Sequence, residues 1–351
     1  MNQRLTSMVR RAFRALGLEV TRRPKVGPRA GPHYIITPLV AERLRRGGQR
    51  FVVLDGGAGS ESDFFSEIWS GLGSDLVTVY GFEVDRDDCE RLNEEARRRG
   101  KDYHYFPFGL RRERGQETFI QTRVPGGSSF YPANEQLVRR WRYGDGRKMT
   151  DVLSPEKEWK VDVTSIEAWR REFDAFELDF MKLNVQGGEL EILQGAGPHL
   201  DTVLGIQLEM SFRQTYLGTP LFSDIDPILR RRGFTFFDIL SENFVGSEES
   251  PIRVSIPAEV HNFRWPSQQC FEGHFLYFRD LIGSPETDEQ KLIEHPTLKL
   301  AAMAEMYGQV EYAFELLVAL ARRLRERDLK EDASEISAII ETATKRYSAY
   351  L

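Results

Sequence analysis

The stretch Leu178-Asp-Phe-Met-Lys-Leu-Asn-Val-Gln-Gly-Gly-Glu-Leu-Glu-Ile-Leu-Gln-Gly-Ala196 decides the fold. Phe180, Met181, Leu183 and Val185 make an apolar run that reads as a buried strand. Gly187-Gly188 breaks the run, and Leu190, Ile192 and Leu193 open a short amphipathic helix. Strand, tight turn and helix are the building unit of an open α/β sheet, in which ligands sit outside the carboxyl ends of strands. Lys182, Asn184, Gln186 and Glu189 are therefore expected at a binding edge.

Two upstream segments repeat the unit. Arg50-Phe-Val-Val-Leu-Asp-Gly-Gly-Ala-Gly-Ser60 is an apolar strand ending in an acid and a glycine-rich loop. Phe64, Phe65, Ile68, Trp69 and Leu72 follow at helical spacing. Glycines let the backbone approach a ligand, and the helix N-terminus behind them offers unpaired N–H groups. Gly57 and Gly59 satisfy the first two places of a dinucleotide fingerprint, but Ser62 holds the third, which argues against a nicotinamide cofactor. Val77-Thr-Val-Tyr-Gly-Phe-Glu83 is another strand ending in an acid, followed by a helix carrying Cys89, Leu92 and Ala96. An acid at that tip, 28 residues past Asp55, stands where a carboxylate grips a ribose diol.

Together these segments resemble the FkbM-type family of S-adenosylmethionine-dependent methyltransferases. The family reads V-D-V-G-A-N-x-G at the first strand, F-E-P at the second and K-x-D-x-E-G-x-E-x-x-x-L-x-G-A at the fourth. The matching runs here are Leu54–Glu61, Phe82–Val84 and Lys182–Ala196. Further likenesses are Gly127-Ser-Ser-Phe130, Val163-Thr-Ser-Ile-Glu167, Leu208-Glu-Met-Ser-Phe212, Tyr216-Leu-Gly-Thr-Pro-Leu-Phe222 and Arg232-Gly-Phe234, so the resemblance spans about residues 50–280. Three positions depart from it. Glu61 replaces the last loop glycine, Asn184 the usual Asp and Gln186 the usual Glu. The last two changes remove charge but keep hydrogen-bonding capacity. Hard cations favour carboxylate oxygens, so no metal is expected at this motif.

The 351 residues carry a net charge of −6, which argues against general nucleic-acid binding. Cys89 and Cys270, the two cysteines, make neither a disulfide framework nor a zinc pattern. No apolar run approaches the roughly 20 residues of a membrane span, so a cytoplasmic protein is expected. Residues 1–30 hold eight Arg or Lys and one Glu. Leu5, Met8, Val9, Ala12, Phe13 and Leu16 repeat there at helical spacing. The segment reads as a surface-lying helix for anionic lipid, a transit peptide, or a helix packed on its own domain.

Strands are expected at 51–55, 77–83, 103–108, 179–185, 204–210, 234–239 and 273–279, and helices at about 61–72, 86–99, 164–173, 188–196 and 222–232. This order predicts an α/β fold: a doubly wound, mostly parallel seven-stranded sheet. Under the resemblance it is a Rossmann-like class I methyltransferase sheet whose last strand is antiparallel. Two connections, 123–160 and 241–272, are long enough to be lids or binding loops. The first carries Trp141, Arg142, Tyr143 and Trp159, the second His261, Asn262, Arg264 and Trp265. Rings beside polar groups suit a sugar, although such rings also pin loops to a core. Past Asp280 the pattern turns helical at 288–327 and 331–348, an appended hairpin for dimerisation, domain packing or a partner. The division is a basic segment and linker at 1–32, an α/β domain at 33–282 and a C-terminal helical extension at 283–351.

The resemblance implies a methyltransferase that uses S-adenosylmethionine on a hydroxyl of a sugar, glycan or related acceptor. The alternative is a catalytically degenerate cofactor- or glycan-binding module that organises a biosynthetic complex, with the helical tail as its docking element. Asp55, Gly57, Ala58 and Gly59 would shape the cofactor loop. Glu83 with Val84 would hold the ribose, and Phe108-Gly109 would border the adenine. Asn184 and Gln186 would complete the cofactor side, and Lys182, Glu189 and Glu209 would face the transferred methyl. A hydroxyl nucleophile needs a proton acceptor, and Glu189, Glu209 and His261 are its candidates. Expected partners are the sugar acceptor, a membrane surface for residues 1–23, and a second copy or another protein for the C-terminal helices.

Overall fold

The computed structural model describes residues 34–59, 68–143, 146–250, 269–283 and 294–349. The basic segment and linker at 1–32, most of the helix expected at 61–72 including Glu61, and His261 with Asn262, Arg264 and Trp265 lie outside the described residues.

The main sheet forms around β1 (Phe51–Gly56), all six residues of which are buried. A strand covered on both faces reads as a continuous apolar run. Successive side chains point to opposite faces: Phe51 and Val53 enter one core, Val52 and Leu54 the other. Around it the order is β3 (Asp102–Phe106), β2 (Val77–Phe82), β1, β8 (Phe180–Leu183), β9 (Gly205–Ser211), β11 (Gln269–Arg279), β10 (Phe234–Ser247) and β6 (Trp141–Tyr143). The first five strands are mutually parallel. β11 runs antiparallel between β9 and β10, as expected of the last strand. The seven expected strands are present, and the short β6 adds an eighth, antiparallel to β10.

Helices cover both faces. α1 (Ile36–Arg46) precedes β1, and α2 (Arg86–Arg98) follows β2 with the Asp85 carboxylate accepting from the Asp87 and Asp88 N–H groups. α3 (Ile166–Phe173), α4 (Glu189–Gly195) and α5 (Phe222–Arg231) bury Ile166, Ile192, Leu193, Ile225 and Leu229 against the Val52–Leu54 face. The opposite face is covered by α1 and by three helices after β11: α6 (Glu294–Met306), α7 (Val310–Glu326) and α8 (Lys330–Ser348). The tail is thus a three-helix layer packed on the sheet rather than a hairpin.

The connection at 123–160 is not a lid without structure. It holds a helical turn at Glu135–Val138, then β6, a second turn at Met149–Val152 and the first part of β7 (Pro155–Thr164). β7 pairs with β4 (Gly109–Leu110) and β5 (Gly115–Thr122) in a second, three-stranded sheet. Its charged opening, Glu156-Lys-Glu-Trp-Lys160, hides the alternation because that end is largely exposed. The second long connection is shorter than expected, since β10 runs on to Ser247 and β11 starts at Gln269.

Candidate active site

The parallel strands deliver their carboxyl ends to one edge, and the glycine loop leaves β1 there. Gly57 has φ +79°, a conformation that disfavours any side chain. A Cβ on it would stand 2.1 Å from the Asn184 carbonyl oxygen. The Asn184 N–H donates to the Gly56 carbonyl at 3.1 Å and the Ala58 N–H to the Phe82 carbonyl at 3.0 Å, so the loop is stitched to both neighbouring strands. Asp55 and Lys182 face each other across the β1–β8 register, and Lys182 Nζ donates to Asp55 Oδ1 at 2.8 Å and to the Gly57 carbonyl at 3.0 Å. Both residues are buried. A buried pair of this kind fixes geometry, and removing one partner leaves an uncompensated charge. The Lys182 ammonium is thereby engaged in holding the loop.

Glu83 lies just past β2, where the ribose position is expected. Its Oε1 accepts from the Asp85 N–H at 2.9 Å, and a Cβ on Gly59 would sit 3.7 Å from its Oε2. Burial raises the Glu83 carboxyl above its ordinary range. Val84 and Phe108 are half-buried, and the Phe108 ring lies 6.4 Å from Phe173. Gly109 is buried under Phe130, whose ring tip would meet any Cβ there at 2.5 Å.

The turn after β8 is held by its own glutamate. Glu189 Oε1 accepts from the Val185 N–H at 2.9 Å and Oε2 from the Gly187 N–H at 3.0 Å. Burial pushes this carboxyl up to about 7. Gln186 adopts φ +55°, rare for a side-chain-bearing residue and typical of constrained functional loops. Its amide Nε2 donates to Asn184 Oδ1 at 2.9 Å and to Glu209 Oε2 at 2.6 Å. Its backbone carbonyl accepts from Ser129 Oγ at 2.8 Å. Tyr216 Oη stands 2.8 Å from the Gly127 carbonyl and 3.1 Å from Gln186 Oε1. Below the turn lies Arg111, which sequence reasoning missed. It bonds Glu117 at 3.0 Å and Tyr131 Oη at 3.1 Å, and pairs with Glu191 at 3.2 Å.

Beyond Asn184 and Gln186 opens a cavity of about 230 Å³, walled by Glu209, Glu272, Asn243, Tyr143, Tyr216 and Phe271, with Arg147 among its lining. Glu209 and His274 are directly paired across β9 and β11, with Glu272 one step along the same face. Burial and the neighbouring Glu272 and Glu189 carboxylates hold Glu209 well above the usual carboxylate range. Burial pushes Glu272 up to about 7. Burial and the Lys182 ammonium push His274 down to about 4, so its ring is neutral near pH 7 where it approaches Glu209 at 3.4 Å.

The structure therefore brings Asp55, Gly57, Ala58, Gly59, Glu83, Lys182, Asn184, Gln186, Glu189 and Glu209 to one edge. Of the aromatic residues expected to meet a sugar, Tyr143 lines the cavity. Trp141 is buried in the core, and Trp159 packs on Phe119 in the second sheet. Glu272 and Asn243 were not singled out from sequence. Each sits in a strand whose antiparallel register alone aims it at the cavity.

The sequence matches the methyltransferase FkbM domain family over residues 55–236, a little over half of the 351 residues. Among solved structures, the methyltransferase FkbM of Methylobacillus flagellatus is similar at 16% identity and a TM-score of 0.34, over 68% of this chain and 47% of that one. The chain thus spans about half of that protein's length. The precorrin-6y C5,15-methyltransferase of Geobacter metallireducens is similar at 11% identity and a TM-score of 0.32, over 74% of this chain and 100% of that one. The 1,6-didemethyltoxoflavin-N1-methyltransferase of Burkholderia thailandensis, solved with S-adenosylhomocysteine, is similar at 11% identity and a TM-score of 0.29, over 80% and 90%. No curated protein matches the sequence.

Proposed function

The chain belongs to the FkbM methyltransferase domain family, and on that premise we propose that it transfers a methyl group from S-adenosylmethionine to a hydroxyl of a sugar or glycan. The observation that carries this reading is a juxtaposition. A glycine cradle with an acid beside it lies on one side of Asn184, and a polar cavity of about 230 Å³ with aromatic walls lies on the other.

The cradle fits the cofactor. Gly57 lets the loop pack on the Asn184 carbonyl, which a Cβ would strike, and space remains at Gly59, which the Glu83 Oε2 faces while its Oε1 is held by Asp85. Asp55, Gly57, Ala58 and Gly59 would hold the amino-acid end, Glu83 and Val84 the ribose, and Phe108-Gly109 the adenine. S-adenosylmethionine supplies an electrophilic methyl group on a sulfonium. The protein supplies in-line placement, which dominates a displacement of this kind. Asn184 and Gln186 form the wall between donor and acceptor, and their hydrogen bonds to each other and to Glu209 keep that wall in place. Tyr143, Tyr216 and Phe271 would pack against a sugar ring, while Asn243 and the carboxylates take its hydroxyls.

Two measurements test the reading. Calorimetry with S-adenosylmethionine and NAD, run side by side, should show binding of the first alone. Methyl-labelled cofactor with free and nucleotide-linked hexoses should give a labelled sugar. Cofactor binding without transfer to any sugar would favour the non-catalytic module, to which the neutral Asn184 and Gln186 point.

A further inference from the structure

Resting on the O-methyl transfer proposed above, we propose that Glu272 is the residue that takes the acceptor's proton. Three glutamates crowd this region, and their hydrogen bonds separate them. Glu189 spends both oxygens on the Val185 and Gly187 N–H groups. Glu209 has Oε2 on the Gln186 amide and Oε1 toward His274. Glu272 is held at Oε1 by Asn243 Nδ2 at 2.9 Å. Its Oε2 has no hydrogen-bond partner among the described residues, although the residue is 7% exposed and lines the cavity. An oxygen left open on the cavity wall can accept from a bound hydroxyl.

The step balances. As the acceptor oxygen bonds the methyl carbon, the carbon–sulfur bond breaks and S-adenosylhomocysteine leaves neutral. The hydroxyl proton passes to Glu272 Oε2 and from there to water. Protonation favours the same assignment. Burial brings the Glu272 carboxyl up to about 7, and a proton acceptor works best with a pKa near the operating pH. The groups facing Glu272 are Glu209 on β9, Asn243 on β10, His274 on β11, Tyr143 and Arg147 at the β6 turn and Tyr216, with Glu189 and Lys182 acting through their charge.

The test uses the full chain, methyl-labelled S-adenosylmethionine, and methyl glucoside, UDP-glucose and UDP-N-acetylglucosamine as probes. Glu272→Gln should lower kcat about 100-fold or more. Cofactor affinity and KM for the probe should stay within threefold. The parent's rate should rise with pH through about 7, and the variant's residual rate should lose that rise. Glu272→Asp should keep the rise at a reduced rate, and carries the test if the Gln variant does not fold. Turnover of Glu272→Gln within fivefold of the parent, or an unchanged pH limb, overturns the assignment and leaves the methyltransferase reading intact. A parent that binds the cofactor but labels no probe overturns the sugar reading and this assignment with it.

Discussion

At the scale of single residues, a few atoms decide whether the edge of the sheet is a site. Glu83 is legible in sequence because it ends an apolar strand beside a glycine loop, and its side chain does face Gly59. Glu83→Ala should weaken S-adenosylmethionine binding by roughly 1.5–3 kcal/mol, the range for hydrogen bonds to a charged group. Unchanged affinity in calorimetry would remove the ribose from this position. Gln186 is a sharper case. Its neutral amide donates to Glu209 at 2.6 Å, so Gln186→Glu would turn a hydrogen bond into a carboxylate–carboxylate contact. The melting temperature should drop by several degrees at pH 8 and recover at pH 5.5, where one acid of the pair is protonated. An equal drop at both pH values would sink the idea that charge, rather than shape, keeps residue 186 neutral. Glu272 and Asn243 were not legible at this scale, because only strand pairing gathers them. Lys182 and Glu189 were expected at the strand edge from sequence, but their bonds to the loops they support appear only in three dimensions.

At the scale of elements, the apolar patterns located the seven main strands and four helices, with ends displaced by a few residues except in β10, which runs on to Ser247. The misses have physical causes. β7 opens with exposed alternating charges, so its pairing with β5 leaves little apolar trace. β6 is three residues long and gains meaning only from Val245–Ser247 beside it. The turn between β8 and α4 is the element on which the proposed chemistry rests, and it carries a pH signature. Glu189 has a folded value near 7 against an ordinary 4.5. A raised carboxyl contributes stability that is present below the unfolded value and lost as pH rises through the folded one. Each pKa unit is worth about 1.4 kcal/mol, so Glu189 should remove on the order of 3 kcal/mol between pH 4.5 and 7. Glu272, also raised to about 7 by burial, adds in the same direction. Urea unfolding at pH 5.5 and pH 8 should show the lower stability at pH 8. Glu189→Gln should be less stable at pH 5.5 than the parent, yet show a flatter dependence. A parent more stable at pH 8 would contradict the burial of these acids.

At the scale of the whole molecule, the C-terminal helices are a layer of the fold. α6 buries Leu298, Ala301 and Met303 in the same core as Phe51, Val53, Phe180 and Phe278, and Tyr307 stacks on Phe180 at 5.3 Å. Polar ties fix the layer. Lys299 Nζ reaches Asp179 at 2.8 Å, and Asp179 accepts from the Val52 N–H at 2.8 Å. Glu305 accepts from the N–H groups of Ile35 and Ile36 at 2.8 Å and of Thr37 at 2.6 Å, and also from Tyr347 Oη. One carboxylate from α6 therefore satisfies the start of α1, which leads directly into the first strand of the site. A helix start buried without acceptors leaves donors that cost about 1–3 kcal/mol each. Glu305→Ala should accordingly lower stability by several kcal/mol without touching the cofactor loop, and affinity for S-adenosylmethionine should be unchanged in the fraction that stays folded. Ending the chain at Gly283 removes the whole layer and bares the Phe51, Val53, Phe180 and Phe278 face. That fragment should not fold: its near-ultraviolet circular dichroism should be flat and it should bind ANS. A truncated chain that melts cooperatively and still binds the cofactor would show that α6–α8 are dispensable to the sheet.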